Sequence, residues 1–491
     1  MLALVPLDNR PCNVRFPQQI AAIGRSQLVT PPVNILGCFE VPGRPELISD
    51  WLSGLPEIEG VIVSIDMLAY GGLVASRHAS LAEEEALARL QALRDFRRAH
   101  PATPIYAFNI LMRLAVTLSS DASVANYYNI MRYARLADEA GRFESDYLRE
   151  QLQNVIAEIP PQVLQDYRAA RARNHAVNCR MIDWLAEGVF DYLLITQEDA
   201  TEFGLHRREQ DALLARAREL NAATKMSLHP GADEASLTLL ARHWDTGVRF
   251  ALHWSCREDA RRIAPFEDRI FDHALVQHIA AMRGVIVEKD ADFELFINAP
   301  VGGSQKDETP AQQTARSARI NPFVRELVAA VESGQRVALC DVAFPNGADN
   351  LLMSELEQRG VLGKLAVYGG WNTAGNTTGT VLAQCAALRH SGDWDNIHSP
   401  ANRQFVFERL MDDWFYQARI RAHLEKSARA QQLSPLNMGE GYTPIEAQAR
   451  RELHGYARLL AQRQFGTTLR DWAVSLPWRR TFEVDLHADL T

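Results

Sequence analysis

Tyr192-Leu193-Leu194-Ile195-Thr196 runs directly into Gln197-Glu198-Asp199. A continuous apolar run has no polar face for water. It reads as a strand buried on both sides, as in a parallel sheet covered by helices, and the abrupt polar cluster marks its carboxyl end. The pattern recurs along the chain. Leu2-Ala-Leu-Val5 meets Asp8, Asn9 and Arg10; Val61-Ile-Val-Ser-Ile65 meets Asp66 and then Tyr70-Gly71-Gly72. Ile105-Tyr-Ala-Phe108 meets Asn109 and Arg113, and Met226-Ser-Leu228 meets His229, Asp233 and Glu234. Glu294-Leu-Phe-Ile297 meets Asn298, Val337-Ala-Leu-Cys340 meets Asp341 and Asn346, and Lys364-Leu-Ala-Val-Tyr368 meets Trp371 and Asn372. Most runs are followed by a segment of helical character, so the fold class is α/β. Active sites of such folds lie at the carboxyl ends of the strands, in closed barrels and open sheets alike. The eight runs favour a (β/α)8-like barrel with helical insertions and a helical C-terminal region. The alternative is two doubly wound α/β domains with the site between them.

The barrel reading makes residues 1–395 the catalytic domain, with insertions near 119–188 and 235–290, and 396–491 a helical C-terminal region. Within this frame, residues 12–60 are an excursion with an extra strand at Ser26 to Thr30, stopped by Pro31-Pro32. Leu81, Ala86, Leu90, Leu93 and Phe96 recur at helical spacing and predict an amphipathic helix over 81–99. Residues 119–188 read as helical with a break at Pro160-Pro161. Tyr127, Tyr128 and Arg132 within them either face the site or pack between helices. Residues 235–290 carry candidate strands at Val248 to His253 and Val285 to Glu288, and 301–318 read as a polar loop. The main later helices are Phe405 to Lys426 and Pro444 to Gln464.

Composition suits a soluble enzyme: 491 residues, 47% hydrophobic and 23% charged, ample for a large core. A net charge of −9 argues against a nucleic-acid partner, which needs a basic stripe. No apolar run is long enough to span a membrane. The N-terminus enters a strand at once, without a signal-peptide pattern. The six cysteines form no C-x-x-C pair and no zinc spacing, which predicts a reduced, cytoplasmic protein. Phosphate-loop and dinucleotide motifs are lacking. No cofactor and no metal is expected, the partner is a small-molecule or oligosaccharide substrate, and a homo-oligomer is compatible with the chain.

Gly369-Gly370-Trp371-Asn372-Thr373-Ala374-Gly375-Asn376 combines glycines, amides, hydroxyls and one large aromatic. Glycines admit close backbone approach, amides supply paired donors and acceptors, and a Trp face stacks on sugar rings. The structural reading is a glycine-rich helix entry with a core Trp.

These motifs carry a family resemblance. Pro6-Leu-Asp-Asn-Arg-Pro11, Ser64-Ile-Asp-Met-Leu-Ala-Tyr-Gly-Gly-Leu73, Gln197-Glu-Asp199, Gly231-Ala-Asp-Glu234 and Gly370-Trp-Asn-Thr373 resemble a bacterial family of proteins of about this length, catalogued as a domain of unknown function. The resemblance implies no activity, so function rests on the chemistry of the residues.

Paired carboxylates, an aromatic platform and amides are the equipment of glycoside hydrolysis. In the eight-strand count Glu198 is the general acid/base, Asp341 the nucleophile or stabiliser, and Asp199 a substrate-orienting acid. The adjacent acids also suit an N-acetylhexosaminidase-like reaction with an acetamide nucleophile. Asp8, Arg10, Asp66, Asn109, Arg113, His229, Asp233, Glu234, Asn298, Asn346, Trp371, Asn372 and Asn376 are the candidate binding residues. Each has a plainer alternative. Asp199 can cap the following helix, and Asp233 and Glu234 can sit at a positive helix end. Arg10 and Arg113 can be scaffolding or bind an anion. Asp66 lies in no obvious helix start. The rival functions are a magnesium- or manganese-dependent hydrolase or lyase using His229, Asp233, Asp66 and Asp341, and a non-catalytic sugar-binding protein.

Overall fold

The computed structural model describes residues 1–490, apart from the side chain of Lys306. The strands are β1 (Leu2–Val5), β2 (Leu28–Val29), β3 (Gly60–Ser64), β4 (Ile105–Leu111), β5 (Tyr192–Gln197) and β6 (Met226–Pro230). They continue with β7 (Arg249–Trp254), β8 (Val285–Ile286), β9 (Phe293–Asn298), β10 (Val337–Asp341) and β11 (Val367–Gly369). Each of the eight apolar runs contains a strand, though of Lys364 to Tyr368 only Val367 and Tyr368 belong to one, and the three further candidates near 28, 250 and 285 are strands too.

Pairing sorts them into two sheets. The first has the order β2-β1-β3-β4-β5-β6 and the second β11-β10-β9-β7-β8. Every pair in both is parallel. This is a mixed α/β protein with parallel sheets; a closed ring of eight strands is not what the pairing shows. In each sheet the second strand lies outside the first and later strands add on the other side, the order of flavodoxin-like sheets. The direction therefore reverses once per sheet, between β1 and β3 and between β7 and β9. Such a reversal opens a crevice at the carboxyl ends.

The chain forms two compact units. Unit 1 is Met1–Gln18, Ser26–His243 and Phe266–Asp268; unit 2 is Gln19–Arg25, Trp244–Pro265 and Arg269–Thr491. In unit 1, Val61, Val63, Ile105, Ala107, Leu193 and Ile195 pack with Ala86, Leu90, Leu93 and Phe96 of the helix Glu83–Ala99. The spacing of those four residues is what turns one helix face inward, and each fully buried Leu or Phe contributes roughly 1.5–3 kcal/mol. Residues 119–188 form the helices Val124–Arg142, Asp146–Glu158 and Pro161–Ala186, the last with proline at its first turn.

In unit 2, Phe296, Val337 and Leu339 pack with Phe323, Leu327, Leu352, Leu356 and Trp414. Two expectations are corrected here. Residues 310–318 are not loop but the start of the helix Pro310–Glu332, opened by a capping box between Thr309 and Gln312. The C-terminal region carries the helices Pro400–Arg409, Arg421–Ala430 and Thr443–Gln464, with a π-helical stretch Leu410–Ile420. It also closes with an antiparallel pair, β12 (Leu469–Ser475) and β13 (Asp485–Leu490), that no helical reading anticipates.

Candidate functional site

The candidate residues fall into two groups, one per unit. In unit 1 they gather at the carboxyl ends of β1, β3, β4, β5 and β6. Arg10 is at the centre of a buried network. Its Nε donates to Asp8 Oδ2 at 3.0 Å, and its Nη2 donates to Asp8 Oδ2 at 2.7 Å and to Asp233 Oδ1 at 2.6 Å. Its Nη1 reaches Asp233 Oδ2 at 3.2 Å, and Asn13 Nδ2 donates to Asp8 Oδ1 at 2.8 Å. Burial works against the guanidinium charge, but Asp233 and Asp8 outweigh it and push its pKa up. One cation thus joins the ends of β1 and β6, and both carboxylates have their oxygens occupied. This is a scaffold that links the carboxyl ends of β1 and β6.

Asp66 is different. The expectation that it lies outside a helix start is corrected: it sits in the first turn of a short helix, Ile65–Tyr70, whose first residues are capped by Ser64 Oγ accepting from Met67 N–H at 3.2 Å. Its Oδ2 accepts from the Ile110 N–H on β4 at 2.9 Å. Burial pushes its pKa up to about 7, against that hydrogen bond and with help from the negative charge of Glu198.

Glu198 lies just past β5, and its Oε1 is ion-paired with Arg77, with Arg113 Nη1 3.9 Å away. Its buried Oε2 has no hydrogen-bond partner in the protein. Asp199 pairs with Arg113 Nη2. It does not cap the next helix: Leu205–Glu219 begins after Gly204 with no side-chain cap. Asp199 also holds φ at 20°, a sparsely populated backbone angle of the kind that clusters at functional sites.

Asn109 belongs to β4 rather than following it, because the ladder with β5 continues through Ile110 and Leu111. Its Nδ2 donates to Asn178 Oδ1 at 2.8 Å, while its buried Oδ1 finds no protein partner. His229 likewise lies on β6, fully buried, with Nδ1 2.9 Å from the Pro230 carbonyl. Glu234 Oε2 accepts from Ala232 N–H at 2.8 Å. Gly231 must be glycine: its φ is 130°, and a Cβ there would meet the Glu234 carboxylate at 1.9 Å.

Unit 2 holds Asn298, Asp341, Asn346, Trp371, Asn372 and Asn376. Asn298 Nδ2 donates to Asp341 Oδ1 at 2.9 Å and to Asp349 Oδ2 at 3.2 Å. Asp341 Oδ2 accepts from Asp349 N–H at 2.7 Å. Asp349 caps the helix Asn350–Gln358 and pairs with Arg316. Asp413 accepts from Arg409 at 2.9 Å and from Gly370 N–H at 2.8 Å. Asn346 and Asn372 take φ of 57° and 53°, and Asn346 N–H donates to the Asn372 carbonyl at 2.7 Å. Asparagine tolerates this left-handed backbone, so two of the amides serve the loop itself. Trp371 is only 9% exposed, with Nε1 donating to Thr380 Oγ1 at 3.2 Å, and the Asn376 carbonyl accepts from Thr380 Oγ1 at 2.8 Å. Glu198 follows β5 and Asp341 ends β10, strands of different sheets in different units.

Arg77, Asn13 and Asp413 escaped the sequence reading. Arg77 follows the Tyr70-Gly71-Gly72 turn and Asn13 follows Arg10, so both lay within reach of motifs already singled out. Asp413 sits mid-helix, where nothing in the sequence distinguishes it.

The family described as "Protein of unknown function (DUF4127)" matches residues 2–487. The chain belongs to this family. The motifs that carried the resemblance all lie inside the matched span. No curated protein and no solved structure matches the chain. Among the described residues, no helix is long and apolar enough to cross a membrane.

Proposed function

We propose that the protein is a glycoside hydrolase-like enzyme whose chemistry is carried by Asp66 and Glu198 in unit 1. The observation behind this reading is their unequal state. Asp66 is buried with a pKa near 7, so it holds a proton near neutral pH; Glu198 faces Arg77 as an ion pair and keeps one buried oxygen free of protein partners. A buried carboxyl raised toward neutrality, beside a second that is paired with a cation and open at its other oxygen, suits an acid and a nucleophile or stabiliser. In glycoside cleavage Asp66 gives its proton to the leaving oxygen, while Glu198 attacks the anomeric carbon or bears the oxocarbenium charge. Glu198 is then the anion rather than the acid, and Asp341 has no part in the pair. Asp199 and Arg113, less buried than the other charges of the group, bind substrate hydroxyls. The strand orders support reading each unit as a doubly wound α/β domain, with the unit 1 crevice between β1 and β3 as the place of reaction.

A panel of aryl glycosides tests this. Asp66→Asn slows poor leaving groups far more than activated ones, since only the former need protonation. Glu198→Gln slows both. Binding without turnover would favour the non-catalytic sugar-binding reading instead. One observation favours a metal-dependent hydrolase or lyase: His229 and Glu234 offer ligand atoms within 4.8 Å of each other. Activity that chelation abolishes and manganese or magnesium restores would decide for that reading.

A further inference from the structure

We propose that Tyr127, with Tyr128 beside it, forms the aromatic wall of a sugar subsite at the mouth of the unit 1 site. The proposal rests on the glycoside reading of Asp66 and Glu198 and adds what holds the substrate there. β4 ends at Leu111, and the chain passes through residues 112–123 before the helix Val124–Arg142 begins. The first turn of that helix is therefore brought to the same strand ends as the acids. Two contacts fix it there. The Arg113 guanidinium lies 5.7 Å from the centre of the Tyr127 ring, and the same guanidinium pairs with Asp199 and approaches Glu198. Arg77, the partner of Glu198, donates from Nη1 to Thr117 Oγ1 at 3.2 Å, tying the approach loop to the same carboxylate. Tyr127 thus adjoins the charged group without being one of its hydrogen-bonding members.

The two rings are not sealed in a core. Tyr127 is half-buried and Tyr128 is 58% exposed, and they meet edge to face with centroids 5.3 Å apart. A helix whose only task was packing would turn such residues inward, as this helix does with Ile130, Tyr133 and Ala134. A rigid aromatic surface with a hydroxyl at its tip, next to a cation and carboxylates, fits a pyranose. The C–H face of the sugar covers the ring, and its hydroxyls meet the charged groups. The subsite falls in the unit that carries Asp66 and Glu198, whereas the indole of Trp371 is packed in unit 2.

Calorimetry with soluble cello- and chito-oligosaccharides, run beside aryl-glycoside kinetics, tests the proposal. Tyr127→Ala is expected to weaken oligosaccharide binding roughly fivefold or more and to raise KM more than it lowers kcat, as loss of a stacking face does. Tyr127→Phe, which keeps the ring, is expected to restore the affinity. A far-ultraviolet spectrum equal to wild type shows that the alanine variant is folded, and the Phe variant carries the test if it is not. Wild-type protein that binds neither series, or a folded Tyr127→Ala that binds like wild type, overturns the subsite. Binding lost in Tyr127→Ala with no glycoside cleaved keeps the subsite and removes the hydrolase reading. Cleavage with unchanged affinity in Tyr127→Ala does the reverse.

Discussion

The strand ends of the two units carry similar residues in different states. In unit 2, Asp341, Asp349 and Asp413 have both carboxylate oxygens engaged, by Asn298, by backbone N–H groups, or by Arg316 and Arg409. In unit 1, Asp8 and Asp233 are equally saturated by Arg10, but Glu198 Oε2, Glu234 Oε1 and Asn109 Oδ1 have no protein partner; in unit 2 the open atom at a strand end is the Tyr368 hydroxyl rather than a carboxylate. Buried polar atoms are nearly always paired, so those left open at a strand-end crevice are the places where a ligand would be received. An acid after a strand is therefore not a catalytic acid by position alone; its unfilled hydrogen-bonding capacity distinguishes it. The loop of Gly370 and Trp371, richest in binding-type residues, spends much of that chemistry on holding its own backbone.

The sharpest break between the units is kinetic. Glu198→Gln should lower kcat/KM on an activated aryl glycoside by on the order of 10³ or more. On the proposed reading, folded Asp341→Asn should stay within about threefold, since Asp341 is not one of the reacting pair. Equal losses in both variants would erase the distinction drawn here. Next in size is the scaffold. Arg10→Met leaves Asp8 and Asp233 buried without their counter-charge and should destabilise unit 1 by about 3–5 kcal/mol in denaturant unfolding. A loss below about 1 kcal/mol would mean that the network is not an ion pair of that strength.

A smaller effect sharpens the picture of unit 2. Burial, opposed by Arg409 and aided by Asp412, pushes Asp413 up to about 8. A carboxyl raised in the folded state stabilises fully below its unfolded pKa, near 4, and loses that contribution as pH rises through about 8. The thermal midpoint of the wild type should therefore carry a decline between about pH 5 and 8 that is shallower in Asp413→Asn. A steeper decline in the variant would reverse the sign of the argument. Smallest of all, Trp371→Phe removes the hydrogen bond to Thr380 and should cost about 1 kcal/mol of stability with no change in substrate KM. A large rise in KM would return Trp371 to the substrate site.

Strands were the most legible part, because short β-branched apolar runs ended abruptly by polar clusters are too short for buried helices. How those strands divide between sheets was not legible. Glu294 to Ile297 pair with β10 on one side and on the other with β7, whose run at Val248 to His253 was read as part of an insertion. Once β2, β7 and β8 are added to the eight runs, the eleven strands fall into a six and a five. The helix at Pro310 announced itself in Thr309-Pro-Ala-Gln312, a capping box with proline at its first helical position, and was masked by the polar composition around it. Asp66 was singled out as lying in no obvious helix start, and the helix it belongs to is too short to show periodicity. Arg77 is the clearest loss. It pairs with a residue 121 positions away, and such a partner is invisible to any local pattern.

The pH dependence of kcat/KM on an aryl glycoside with a poor leaving group tests the central claim most directly. With Asp66 as the proton donor, raised by burial to about 7, activity falls as pH climbs past that value, because the donor is lost. The account predicts an alkaline limb near pH 7 in the wild type and in Asp341→Asn. It predicts a slow, flattened profile in Asp66→Asn. A wild-type rate that holds level from pH 6 to 9, or a limb that survives in Asp66→Asn, would contradict it.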